Sequence, residues 1–438
     1  MSKILMRAGC SPYEELSYER LSHVMGANLG NLVYANSIYR ALTVDDSTDV
    51  VPTRYKFSYT DKEMAAINSG YDALVLPFAD AIRHNFIHEF KSLTKLVRKL
   101  TIPCVVIGVG IRAPYEPGKS SDPQLDRAAR QFFRAVLDKS AKIGVRGQIT
   151  ADYLKALGFR EEADFTVTGC PSMYTWGDAL DVRDSWKKVA DGSPDARISF
   201  NMSQGSTPAH IRFIRENAAF FYDAVYLPQR EEELRLMYAG VPFSLPAAEG
   251  FPMTLEDELY QNGNVRMYGD AASWLSFLKT RDLSFGTRMH GNITAVLAGT
   301  PALFCPFDAR TRELADYHGF AFLAPEEIEN RPDLRDVAAK KDFRGILKCH
   351  RRNFEHYVDF LNENGLSHIY GTESCVRETS HDRKVAAVRH LPPLLPITQV
   401  SGAEAARRLT RYHEGAFDRK TTLMHELKST VKQVIGRK

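Results

Sequence analysis

Short apolar runs alternate along this chain with segments whose apolar residues recur at helical spacing. Ile4 to Met6 opens the series, and Leu32, Ala35, Ile38, Tyr39 and Leu42 mark a first helix. Asp72 to Pro77 reads as a short buried strand and Phe90 to Leu100 as an amphipathic helix. Ile102 to Gly108 is rich in β-branched residues, the mark of a strand covered on both faces in a parallel sheet. Asp126 to Lys139 is helical, Lys142 to Gly147 a strand, Thr150 to Leu157 a helix, and Phe165 to Gly169 a strand. Asp178 to Asp195 is polar, carries Gly and Pro, and reads as a linker. The rhythm then restarts, with strands at Arg197 to Ser203, Asp223 to Gln229 and Val265 to Tyr268. Helices are predicted at Ile211 to Phe221, Glu231 to Tyr238 and Trp274 to Leu278. Two such series predict an α/β chain of two domains, 1–180 and 195–345.

Most of the chemistry gathers in Asp282 to Pro306. Leu283 to Phe285 ends a buried strand, and Gly286 permits a sharp turn. Ile293, Val296 and Leu297 follow at helical spacing, Gly299 and Pro301 stop the helix, and Ala302 to Phe304 begins another strand. Thr287, Arg288, Met289 and His290 fall at the strand-to-helix turn. A helix N-terminus offers free N–H groups and a partial positive charge, which suits an anion. Arg288 adds a forked cation and His290 a proton donor, so the turn describes a phosphate or carboxylate pocket with acid–base chemistry beside it. In an open α/β sheet, ligands lie beyond the carboxyl ends of the strands. Asn201, Ser203 and Gln229 sit at such ends, placed for sugar hydroxyls. Gly108 and Gly110 leave a ligand room beside the backbone.

Gly286 to Gly291 reads Gly-Thr-Arg-Met-His-Gly, followed by an alanine-bearing helix and Ala298-Gly-Thr-Pro301. This pattern resembles the Arg-x-His-Gly signature of the polysaccharide pyruvyl transferase family. The resemblance covers roughly residues 1–365. It implies two Rossmann-like domains facing across a cleft, as in the glycosyltransferase-B fold, with a late helix in 346–370 crossing back onto the first domain. It also implies transfer of the enolpyruvyl unit of phosphoenolpyruvate onto a sugar of a cell-surface glycan, with a pyruvate ketal as product. His290 would be the acid that protonates the methylene carbon, and Arg288 would hold the anion. Asn28-Leu29-Gly30 is similar to the family's opening Asn-x-Gly turn, and Gly108 to Pro114, with Gly110 and Arg112, to its Gly-x-Gly turn. Arg146 matches the arginine of a strand-end Arg-Asp pair, and Arg310 stands where a Lys is usual. Thr287 and Gly291 complete the implied substrate site. Three positions depart from the pattern, where Asn31, Gly147 and Cys170 replace acidic residues.

Composition narrows the alternatives. At 438 residues, 44% hydrophobic and 25% charged, the chain is ordinary for a globular protein. No apolar run approaches the roughly 20 residues of a transmembrane helix, and Met1 to Arg7 is too short an apolar run for a signal peptide. The six cysteines are scattered, which argues against a zinc site or a disulfide framework and suits a reducing cytoplasm. No metal or other cofactor is expected, with phosphoenolpyruvate as co-substrate and a sugar or lipid-linked oligosaccharide as acceptor; nucleic acid is not an expected partner. Residues 371–438 form a helical extension with 13 Lys/Arg and 7 Asp/Glu. Leu423, Leu427, Val431 and Val434 share one helical face there, so peripheral contact with the inner face of the cytoplasmic membrane is an expectation. Two rival functions stay open. One is a nucleotide-sugar transferase of the same fold, and the other a non-catalytic glycan-binding relative.

Overall fold

In the computed structural model, which describes residues 2–55, 59–118, 122–371 and 378–418, the apolar runs pair into parallel sheets. β1 (Lys3–Arg7), β2 (Asp49–Thr53), β3 (Ala73–Pro77) and β4 (Cys104–Ile107) take the order β2-β1-β3-β4. β5 (Ile143–Val145) and β6 (Phe165–Val167) continue this sheet, because Val109 beyond β4 bridges to Val145. The second sheet has β7 (Ile198–Asn201), β8 (Ala224–Tyr226), β9 (Leu283–Gly286), β10 (Ala302–Phe304) and β11 (Ala321–Phe322). Its order is β11-β10-β9-β7-β8. Every residue of β3 to β10 is buried, and β3, β4, β8 and β10 read as unbroken apolar runs. β2 is an edge strand with Pro52 in it, half-buried and partly polar, so no apolar run announced it. Helices cover both sheets. The protein is thus two Rossmann-like domains whose strand ends face across a cleft, the glycosyltransferase-B-like arrangement.

Two elements differ from the sequence reading. Val265 to Tyr268 is no strand: Val265 makes one bridge to Tyr226, and Met267 then turns to pair with Leu394 of the C-terminal extension. The linker at Asp178 to Asp195 is not loose either. Arg183 donates to the carbonyls of Gly299 and Arg281, and Ser185 to that of Asp282, so the linker is moulded onto the second domain.

The helices that shape the cleft are α1 (Gly30–Leu42), α2 (Gln148–Ala156), α3 (Met289–Leu297) and α4 (Ala309–His318). α5 (Gly345–Glu363) leaves the second domain and lies against the first, where Lys142 pairs with Glu363 and Tyr357 stacks on Tyr174. The extension continues as α6 (Ser380–Ala386) and α7 (Gly402–His413). Asp382 of α6 takes a two-pronged bond from the buried Arg40 of α1, at 2.9 Å on each oxygen. Tyr238 of the second domain packs at a tilt against Phe417 beyond α7 and donates to Glu19 of the first. Among the described residues no helix is long and apolar enough to cross a membrane. The tail helix expected at 423–435 lies outside the described residues.

Two buried histidines mark the joints of this assembly. His318 of α4 accepts the backbone N–H of Cys170 in the first domain at 2.9 Å. His381 of α6 pairs with the Tyr13 hydroxyl at 2.9 Å. Burial above all holds them neutral, His318 down to about 3 and His381 to about 4. An unfolded chain would protonate both near pH 6.5. Their stabilising effect is therefore complete above that pH and is lost as pH falls. The melting temperature should drop steadily between pH 6.5 and 4, and His381→Asn should flatten part of that slope in calorimetry.

Candidate active site

The turn after β9 depends on Gly286. Its φ is +139°, and a Cβ there would lie 2.0 Å from the Asn201 carbonyl oxygen. Asn201, buried at the end of β7, holds the turn from below. Its backbone oxygen accepts the Thr287 N–H at 3.2 Å and its side-chain oxygen the Arg288 N–H at 2.6 Å. The Thr287 hydroxyl in turn accepts the Ser203 N–H at 2.8 Å. α3 then begins with no side-chain cap, so its first N–H groups are left for the cleft.

The N-terminus of α1 meets it from the other domain. Asn28 caps Gly30 at 2.8 Å, and the Leu29 N–H donates to the Gln229 carbonyl at 2.8 Å, crossing the cleft. A Cβ on Gly30 would stand 2.4 Å from His290 Nδ1 and 2.8 Å from its Cβ. Glycine at that position is what lets the imidazole lie against the helix end.

Between these helix ends is a cavity of about 310 Å³, walled by six arginines and one carboxylate, Asp80. Arg83, Arg112 and Arg146 come from the first domain, and Arg230, Arg288 and Arg310 from the second. Asp80 carries three of them. Arg83 reaches it at 2.7 Å and Arg310 at 3.2 Å, with Arg112 as the third partner. Burial pushes this carboxyl up, but Arg310, Arg83 and Arg112 outweigh it and keep it below its ordinary range. Arg288 stands over Glu233, fully buried, at 3.7 Å, and its Nε donates to the Met202 carbonyl at 2.8 Å. Arg146 is anchored through Nε to the Gly108 carbonyl at 2.9 Å. Five buried donors in these walls have no hydrogen-bond partner: Arg83 Nε, Arg146 Nη2, Arg288 Nη2, Arg310 Nε and Gln229 Nε2. Each buried donor left unpaired costs about 1–3 kcal/mol. An anion in the cavity would recover that.

His290 is enclosed. Its ring lies edge-on to Tyr34 at 6.1 Å, and Nε2 is 3.9 Å from the Cys170 sulfur. Burial, then Arg146 and Arg310, push its pKa down to about 3. His290 is therefore a neutral imidazole at pH 7, not the ready proton donor expected from the sequence.

Of the residues singled out from sequence, Asn28, Arg112, Arg146, Gln229, Thr287, Arg288, His290 and Arg310 all line this cavity. Arg112 does so locked onto Asp80. Asn201, Gly30, Gly110, Gly286 and Gly291 sit one layer behind. Gly291 makes room for the amides of Asn201 and Gln229, each 2.7 Å from where its Cβ would be, and Gly110 for Arg146 at 2.9 Å. Sequence reasoning missed Asp80, Arg83 and Glu233. Asp80 and Arg83 follow the end of β3, where position alone could have marked them. Glu233 sits in an acidic run that reads as a solvated helix start, yet it accepts the N–H groups of Gln229 and Arg230 at 2.8 Å each. Among the described residues no three His, Cys, Asp or Glu side chains converge as metal ligands do.

A family model described as polysaccharide pyruvyl transferase matches residues 28–308, from the Asn28 turn to the cap of α4. The chain belongs to that family. No curated protein matches this pyruvyl transferase relative. Among solved structures, a functionally uncharacterised Klebsiella pneumoniae protein is 14% identical over 74% of this chain and 92% of its own, with a TM-score of 0.38. A Thermosynechococcus elongatus sucrose-phosphate synthase is 11% identical over 83% of this chain and 98% of its own, at 0.44. The Anabaena HepE protein, solved with UDP and glucose, is 12% identical over the same shares, at 0.43.

The fit of His290 against Gly30 gives a direct check. Gly30→Ala should displace the imidazole while leaving the far-ultraviolet spectrum unchanged. Displacements of about 1 Å cost about 10²-fold in turnover, so transferase turnover should fall by that order.

Proposed function

We propose that this pyruvyl transferase takes phosphoenolpyruvate as donor and forms a pyruvate ketal on a sugar of a surface glycan. The observation that carries this is the cluster of unpartnered cationic and amide donors around a cavity of about 310 Å³ between two helix N-termini. Phosphoenolpyruvate presents two anionic groups on a three-carbon frame. Six guanidinium groups suit two anions better than one, and a cavity at the small end of ligand sites favours a compact donor over a nucleoside diphosphate.

In this reading Arg288, Arg146 and the α3 N-terminus take one anionic group, and Arg310 with Gln229 the other. The donor's charge opposes that of Arg146 and Arg310, so it raises the pKa of His290 and equips it to carry a proton. His290 delivers that proton to the methylene carbon, which becomes a methyl group. An acceptor hydroxyl oxygen bonds to the central carbon, and the bond from that carbon to the phosphate oxygen breaks. A second hydroxyl closes the ketal. Of the two hydroxyl protons lost, one replaces the proton His290 gave and the other leaves with phosphate.

His290→Ala should lower phosphate release from phosphoenolpyruvate, assayed with lipid-linked glycan extract, by about 10²–10⁴-fold. Arg288→Lys should fail likewise, because an ammonium cannot replace a planar fork. In NMR titration the His290 ring should stay neutral from pH 7 to 5 in the free protein and titrate at higher pH once phosphoenolpyruvate is bound. Unchanged turnover in His290→Ala would remove it from the reaction.

A further inference from the structure

A transferase must seat its second substrate within bonding distance of the first. Two spaces adjoin the anion cavity. The larger, a groove past Tyr153 and Arg312, shares only Arg83 and Arg112 with it. The other is a chamber of about 360 Å³ in the first domain. Gly26, Asn31, Ala79, Asp80, Arg83 and Asn85 line both the chamber and the anion cavity.

The chamber's character is different. Arg7 and Arg83 balance Asp80 and Glu89, where the cavity has six arginines against one acid. Arg83 is tied to Asp80 at 2.7 Å. The Arg7 guanidinium is stacked between the rings of Tyr55 at 4.8 Å and Phe78 at 5.0 Å, and donates to the carbonyls of Tyr55 and Pro77. Arg7 thus serves the wall, while Arg83 keeps a buried Nε with no hydrogen-bond partner. The other groups left for a ligand are neutral or negative. Asn31 uses its amide N–H groups on the carbonyls of Met25 and Gly26, which leaves its oxygen. Asn85 and Glu89 lie at the rim. A hydroxyl-rich ring offers donors and acceptors to such a set, whereas a carboxylate would face the carboxylate of Glu89.

We propose that this chamber is the acceptor subsite and that it selects an uncharged pyranose, with Glu89 excluding acidic sugars. The inference rests on the donor reading above. The test is saturation-transfer NMR on the full chain, with methyl β-D-glucopyranoside, methyl β-D-galactopyranoside and methyl β-D-glucuronide as probes, and phosphate binding followed separately by calorimetry. Tyr55 and Glu89 line the chamber and not the anion cavity. The neutral glycosides should show transfer and the glucuronide far less. Glu89→Ala should weaken the neutral signal about fivefold, the loss of one hydrogen bond, with phosphate affinity unchanged. Glu89→Gln should raise the glucuronide signal. Tyr55→Ala is a second probe of the same wall, and Glu89→Ala stands alone if that variant does not fold. No transfer from either neutral glycoside, a preference for the glucuronide, or equal signals in wild type and Glu89→Ala would overturn the proposal. Loss of phosphate binding alone, with glycoside transfer intact, would count against the donor reading and leave the chamber standing.

Discussion

One carboxylate, Asp80, holds three guanidinium groups, two from its own domain and Arg310 from the other. Packing six arginines around a small cavity is strongly unfavourable unless countercharges sit between them. Asp80 does this at the centre, Glu233 beneath Arg288, and Asp308 and Glu232 beside Arg310 and Arg230. Each acid neutralises only part of the charge it touches. The residual positive field is what gives an anion its place. Because Arg310 and Asp80 come from opposite domains, the cationic wall is built jointly by both.

Closure is over-determined. Glu313 of α4 reaches across to the uncapped start of α2, where its two oxygens accept the Thr150 N–H and hydroxyl at 2.8 Å each. A carboxylate of one domain therefore caps a helix of the other. Burial raises Glu313 to about 7. α5 and the C-terminal extension add further ties, since α6 bonds to α1 and Leu394 pairs with Met267. Such a frame keeps two helix N-termini aimed at one point with little freedom to drift, which is what orientation-dependent catalysis requires.

The burial that shapes the site also sets its chemistry. A neutral His290 does not add to the repulsion among the arginines. In the proposed reaction, donor binding would raise its pKa and so link anion binding to acid catalysis.

How much of this was legible depended on range. Gly286 to Gly291 carries its own meaning, because a strand, a glycine turn and a helix start follow from neighbouring residues, and Arg288 and His290 are then placed by the turn. The fully buried strands β3, β4, β8 and β10 declared themselves as apolar runs for the same local reason. The edge strand β2 did not, since it is only half-covered. Nothing local pairs Arg310 with Asp80, 230 residues away, or puts Glu233 under Arg288. Glu233 and Asp80 look like surface charges until the fold encloses them. The sequence by itself determined the α/β rhythm and put Arg288 and His290 at a strand-to-helix turn. Only the tertiary structure decided which charges are buried together, and hence that His290 is neutral at rest, because desolvation and distance, not residue identity, set the energy of a charge.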